Sequence, residues 1–115
     1  MKISEELLKE VQGIQNISDI EIKGNMVLYY KHNERYSGDS CYYKSRESIN
    51  IYELAFDKCV EWAKSENCEL DIKFDAGGTF ADISKDEYSI CSKRSREDIS
   101  AVFEVYQYYL DSKER

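Results

Sequence analysis

Glu69-Leu70-Asp71-Ile72-Lys73-Phe74-Asp75 alternates charged and apolar residues without a break. A period of two marks a strand with one wet face and one dry face. Leu70, Ile72 and Phe74 are therefore expected to face a core, and the four charged residues water. Ala76-Gly77-Gly78 turns the chain, and 79–83 returns antiparallel. Residues 84–87 turn it again into a strand over 88–92. Three hairpin-linked strands with one apolar face need a helical layer to cover it.

Helices are expected on both sides of this meander. Upstream, Asn50 with Glu53 three residues on has the offset of a capping box. It opens a helix with Leu54, Ala55, Lys58, Cys59, Trp62 and Ala63 on or near one stripe, widened by Phe56 and Val60, and Asn67 stops it. Downstream, Ser95 with Asp98 is expected to cap a last helix whose face is Ile99, Val102, Phe103, Tyr106 and Leu110. Lys113 and Arg115 fall at its C-terminal end, where the macrodipole favours cations. Nearer the start, Ser4 caps a helix bearing Leu7, Leu8, Val11 and Ile14, which ends near Gln15. Ile20 and Ile22, then Gly24-Asn25, then 26–30 read as a hairpin. Residues 41–44 give a short third strand and 45–48 a loop. The order α-β-β-(β)-α-β-β-β-α describes an α+β fold, an antiparallel sheet with three helices. No linker or repeat interrupts it, so 1–115 is read as a single domain.

Composition agrees with that reading. With 42% apolar and 34% charged residues in 115, the chain is globular in type and long enough to close one core. The net charge of −7 disfavours nucleic acid and anionic lipid, which reward excess Lys and Arg. Glu5 and Glu6 stand where a secretory leader would be basic, and no apolar run approaches a membrane span. The expectation is a cytoplasmic protein without membrane contact. Cys41, Cys59, Cys68 and Cys91 include no Cys-x-x-Cys pair, so reduced thiols are expected rather than a zinc site.

Catalytic signatures are sparse. The one histidine, His32, has Cys41 nine residues on, but neither carries a local nucleophile motif. Asp71, Asp75, Asp82 and Asp86 could bring carboxylates together, yet they lack a calcium-loop pattern and read as a solvated strand face. Gly77-Gly78 lies between strands and has no Gly-Lys-Ser after it, so it is a turn and not a phosphate loop. No cofactor or metal is expected, and no enzyme activity.

Contact chemistry has more to offer. Residues 29–46 hold Tyr29, Tyr30, Tyr36, Tyr42 and Tyr43 with Lys31, Arg35, Lys44 and Arg46. Neighbouring tyrosines on a strand point to opposite faces, so one of each pair should be exposed. Tyrosine with arginine is the composition of interface hot spots. Tyr29, Tyr36, Tyr42, Tyr43, Arg35 and Arg46 are thus candidate protein-binding residues. Asp71 and Asp75 join them, because 66–87 carries seven acids against two lysines and could steer a basic partner.

Two resemblances bear on function. Ile51-Tyr52-Glu53-Leu54-Ala55, with Cys59, Glu61, Trp62 and Ala63, resembles segments of small phage and prophage proteins. That likeness implies a protein that binds and blocks a host or defence component. Residues 50–112 are similar in element order to a double-stranded-RNA-binding domain, and Ser92-Lys93-Arg94 resembles that family's phosphate-contacting turn. The expected function is a small acidic binding protein, of inhibitor or immunity type and of phage or mobile-element origin, whose partner is another protein or protein complex. The alternatives are a nucleic-acid-binding module, or a small-ligand binder or enzyme without a recognisable motif.

Overall fold

The computed structural model describes residues 1–32 and 44–113. Helix α1 (Glu5–Gln12) leads into strands β1 (Ile17–Lys23), β2 (Met26–His32) and β3 (Lys44–Asn50). Then α2 (Ile51–Glu53), a π-helical turn (Leu54–Lys58) and α3 (Cys59–Ser65) follow without a gap as one central helix. Strands β4 (Glu69–Asp75), β5 (Gly78–Lys85) and β6 (Tyr88–Ser95) come next, and α4 (Ser100–Lys113) ends the described chain. The α+β class and the order of elements are those expected. The six strands form two antiparallel meanders, β1-β2-β3 and β4-β5-β6, rather than one sheet.

Local chemistry explains most boundaries. The Ser4 hydroxyl accepts from the Leu7 amide at 3.0 Å and starts α1. Gly13, at φ 66°, stops it three residues before the expected Gln15. Asn50 accepts from the amides of Tyr52 and Glu53 at 2.9 and 3.4 Å, as the capping offset predicts. The last helix starts later than expected. Ser95 ends β6 and Asp98 accepts from the Ser100 amide at 2.9 Å, although Ser95 Oγ still receives the Ala101 amide at 3.3 Å. The turn between β5 and β6 is Asp86-Glu87, both at positive φ, the geometry of a tight two-residue hairpin.

Residues 45–48, expected as a loop, lie inside β3. Their polar side chains have no apolar alternation because this is an edge strand, held by backbone pairing with β2. Of the short strand expected at 41–44, only Lys44 falls within the described residues.

Short stretches of the two halves echo one another in sequence. Each meander is followed by a helix, at once after β3 and after four residues in the case of β6. Ile20-Glu21-Ile22-Lys23 matches Leu70-Asp71-Ile72-Lys73, and Ser45-Arg46-Glu47-Ser48-Ile49-Asn50 matches Ser95-Arg96-Glu97-Asp98-Ile99-Ser100, both fifty positions on (20 to 70, 45 to 95). Ile49, near the end of β3, and Ile99, just before α4, are both buried. In each meander a ring on the middle strand lies under an arginine of the third. Arg46 is 5.0 Å from the Tyr30 ring centre and Arg94 is 5.5 Å from that of Phe80.

One core unites the halves. Helix α4 lies across β5 and β6 and buries Ala101, Val102, Phe103, Val105, Tyr106, Tyr109 and Leu110. Trp62 of the central helix meets Tyr106 and Tyr109 edge-on, at 6.1 and 5.8 Å, a favoured aromatic geometry. The Tyr106 hydroxyl donates to the Ala55 carbonyl at 3.3 Å, so its polar end is satisfied where water is excluded. Lys113 bridges Glu10 and Glu66, tying the end of α4 to α1 and to the exit of the central helix. No helix among the described residues is long and apolar enough to cross a membrane.

Candidate protein-binding surface

The decisive departure from expectation is Phe74. Leu70 and Ile72 are partly buried against the core, but Phe74 is 66% exposed. Alternation aims all three at one face. Leu70 and Ile72 reach the core, whereas Phe74, at the hairpin end of β4, does not. The ring is not isolated. Phe56 of the central helix meets it edge-on at 6.1 Å, and Tyr52, 45% exposed, stacks on Phe56 at 6.2 Å.

Two local features build this cluster. Asn50 fixes the helix start two residues before Tyr52. Phe56 sits inside the π-helical turn, where the Cys59 amide reaches back to the Leu54 carbonyl. Such turns widen a helix locally and recur at functional sites. Phe56 thus touches both Tyr52 and Phe74, and all three rings keep part of their surface in water.

Acidic residues stand near the rings in the chain, those of β4 on the opposite face of the strand from Phe74. Glu53 and Asp57 are exposed on the same helix, and Asp71 and Asp75 lie on the water-facing side of β4. Asp75 receives Arg94 through two bonds, at 2.7 and 3.2 Å, and the Gly77 amide at 2.8 Å. The Arg94 bonds, with the Gly77 amide second, hold its carboxyl below the ordinary range. A depressed carboxyl contributes stability above its unfolded pKa of about 3.9 and loses it as pH falls through the folded value. Both groups are exposed, so the effect on folding is small. Arg94→Ala should move the Asp75 titration upward towards the ordinary range, read by NMR, with little change in stability at neutral pH.

Asp71 and Asp82 are register partners, and Asp82 accepts from the hydroxyls of Ser89 and Ser92. Among the described residues, no group of three His, Cys, Asp or Glu side chains could hold a metal. An open hollow of about 710 Å³ beside α1, β6 and α4 is lined by Lys2 and Lys93 together with Glu104 and Asp111, charges of both signs.

The tyrosine-rich segment divides. Tyr29 is 4% exposed and belongs to the core, which removes it from the candidate surface. Its neighbour Tyr30 is the ring on the opposite, outer face, as alternation requires. There Lys44 and Arg46 flank it at 5.9 and 5.0 Å, and Arg46 also pairs with Glu21 at 3.6 Å. Arg35, Tyr36, Tyr42 and Tyr43 lie outside the described residues, as does Cys41 of the His32–Cys41 pair. His32 itself bonds the Ser18 hydroxyl at 2.7 Å.

Ser92-Lys93-Arg94 is strand, not turn, and its two cations point to opposite faces. Arg94 is occupied by Asp75, while Lys93 lines the hollow beside α4. They form no common phosphate site. Comparison with protein-family models, curated proteins and solved structures returns no match.

Cys59 and Cys68 are buried free thiols, and Cys91 is a partly exposed one. Burial pushes the Cys59 thiol far up, which removes the reactive thiolate. Alkylation of the native protein, mapped by mass spectrometry, should label Cys91 well ahead of Cys59 and Cys68. Labelling of Cys59 at the Cys91 rate would contradict the packing described.

Proposed function

We propose that this chain is a small non-enzymatic binding protein that contacts another protein through Tyr52, Phe56 and Phe74. The observation that supports the reading is the exposure of Phe74 within a cluster of three rings, with Glu53 and Asp57 exposed on the helix that carries two of them. Rings at the centre and charge at the rim is the anatomy of a specific interface. The apolar centre supplies affinity, and the acids steer a basic partner and fix its orientation. An inhibitor or immunity-type role, acting in the cytoplasm and of phage or mobile-element origin, fits a protein whose work is contact alone.

A second reading, a nucleic-acid module, draws on Tyr30 between Lys44 and Arg46, a ring and two cations on the outer face of β2 and β3. The acidic chain and the ion pair of Arg46 with Glu21 weigh against it.

Variants on the two faces separate the readings. Phe74→Ser and Tyr52→Ser should each weaken association with the partner protein by about 2 kcal/mol or more, as hot-spot truncations do, while Tyr30→Ser with Arg46→Ser leaves it intact. Loss of binding only in the second pair, or retention of the chain on a heparin column, would favour the Tyr30 face.

A further inference from the structure

The strand that carries Phe74 is an edge. β5 covers one side of β4, and no described residue hydrogen-bonds to the other. Proteins commonly blunt such edges with a bulge or a cover. β1 has a bulge between Ser18 and Glu21, and the β5–β6 pairing shifts between Ile83 and Ser84. β4 has neither, and it pairs residue for residue from Glu69 to Asp75.

An apolar seam runs beside this open edge. Tyr52, Phe56 and Val60 of the central helix and Leu70, Ile72 and Phe74 of β4 all keep some exposure. At one end Phe56 meets Phe74. At the other, Val60 and Leu70 line a hollow of about 560 Å³ with Lys64, Glu69 and Asp71. Helical residues four apart are about 6 Å apart along the axis, and alternate residues of a strand about 6.7 Å apart. An extended segment laid against β4 therefore sets every second side chain in step with the seam. Its other side chains lie beside Glu69, Asp71, Lys73 and Asp75, a net acidic row in which Arg94 already holds Asp75 and Lys73 stands by Asp71, so a basic residue beside Glu69 makes the most favourable cross-strand pair.

We propose that the open edge of β4 accepts an extended segment of a partner protein by strand addition, the segment alternating apolar and basic residues. The proposal rests on the reading of the ring cluster as a contact surface and names what that surface receives. Main-chain bonds to β4 hold the segment, and the seam and acids select it. A second copy of this chain fits less well. Antiparallel pairing of two β4 strands about Ile72 would set Glu69 beside Asp75 twice and Asp71 beside Lys73 twice, so the row gains nothing net from its own charges, in molecules that each carry −7.

Synthetic nonapeptides test this on the full chain. The probes are alternating Lys-Val, the same composition in blocks, alternating Glu-Val, and alternating Lys-Val N-methylated at every second residue. Amide exchange along β4 is followed by NMR. The alternating Lys-Val peptide should slow exchange at alternate β4 amides by about tenfold or more, and each control peptide, or Phe74→Ser, should bind about tenfold more weakly. Phe74-dependent binding without slowed β4 exchange would overturn strand addition and leave the contact reading standing. Equal binding of the alternating and block peptides would also overturn it. So would β4 protection that grows with protein concentration in the absence of peptide, which would make a second copy the occupant.

Discussion

Phe103→Ala should lower the unfolding free energy by about 3–5 kcal/mol, the cost of truncating a buried aromatic ring and leaving a cavity. Phe103 is among the largest fully buried side chains and lies on the face that α4 turns to β5 and β6. Neighbouring side chains cannot close such a gap without leaving their own packed positions, so most of the loss should appear in the urea midpoint. Trp62→Ala should cost a similar amount, because Trp62 joins the central helix to Tyr106 and Tyr109. Tyr106→Phe is the milder control. It keeps the ring and removes only the hydroxyl that donates to Ala55, a change of about 1 kcal/mol. Unchanged midpoints for Phe103→Ala and Trp62→Ala would mean that the helix faces are wrongly assigned.

Gly78→Ala should be as damaging in kind although it removes nothing. Gly78 opens β5 at φ 110°, a conformation that side chains rarely adopt, and an added Cβ would stand 2.0 Å from the Ser95 carbonyl oxygen and 2.8 Å from the Arg96 Cα. Both are backbone atoms at the exit of β6, so neither can swing aside. Relief would require the β5–β6 pairing at Thr79 and Ser95 to open. A cost of about 2–4 kcal/mol is expected from strain and overpacking together. Gly24→Ala gives the contrast. It also sits at positive φ, 57°, but has open space around its Cβ position, so about 1–2 kcal/mol is expected. Equal costs at the two glycines would show that conformation alone matters and that the close approach does not.

What the sequence made legible was set by periodicity and capping. The alternation of 69–75 gave β4 its length and its two faces. The offset of Asn50 and Glu53 gave the central helix its start, and the spacing of Ile99, Val102, Phe103, Tyr106 and Leu110 gave α4 its buried side. Where polarity carries no period, as in 45–48, pairing with a neighbour decides the structure, and single-strand patterns are silent. The exposed ring was misread for a related reason. Alternation tells which face Phe74 takes, but not how far along that face the core extends. The candidate surface was half legible: Arg46, Asp71 and Asp75 are exposed as expected, whereas Tyr29 is core and Tyr30 takes its place outside. Tyr52 and Phe56 carry no contact signature of their own in the sequence, although their four-residue spacing puts them on one side of the helix. The echo between residues 20–23 and 70–73 was present in the sequence, but only the two meanders give it meaning.

The central claim is that Phe74 serves contact rather than folding, and Phe74→Ser tests it when stability and binding are measured on the same preparation. A residue whose ring is mostly in water should change the unfolding free energy by no more than about 0.5 kcal/mol, whereas a hot spot should lose about 2 kcal/mol of binding, some thirtyfold in the dissociation constant. The expected result is an unchanged urea midpoint with association to the partner protein lost. A variant that unfolds like Phe103→Ala, or one that keeps both its midpoint and its full affinity, would contradict it.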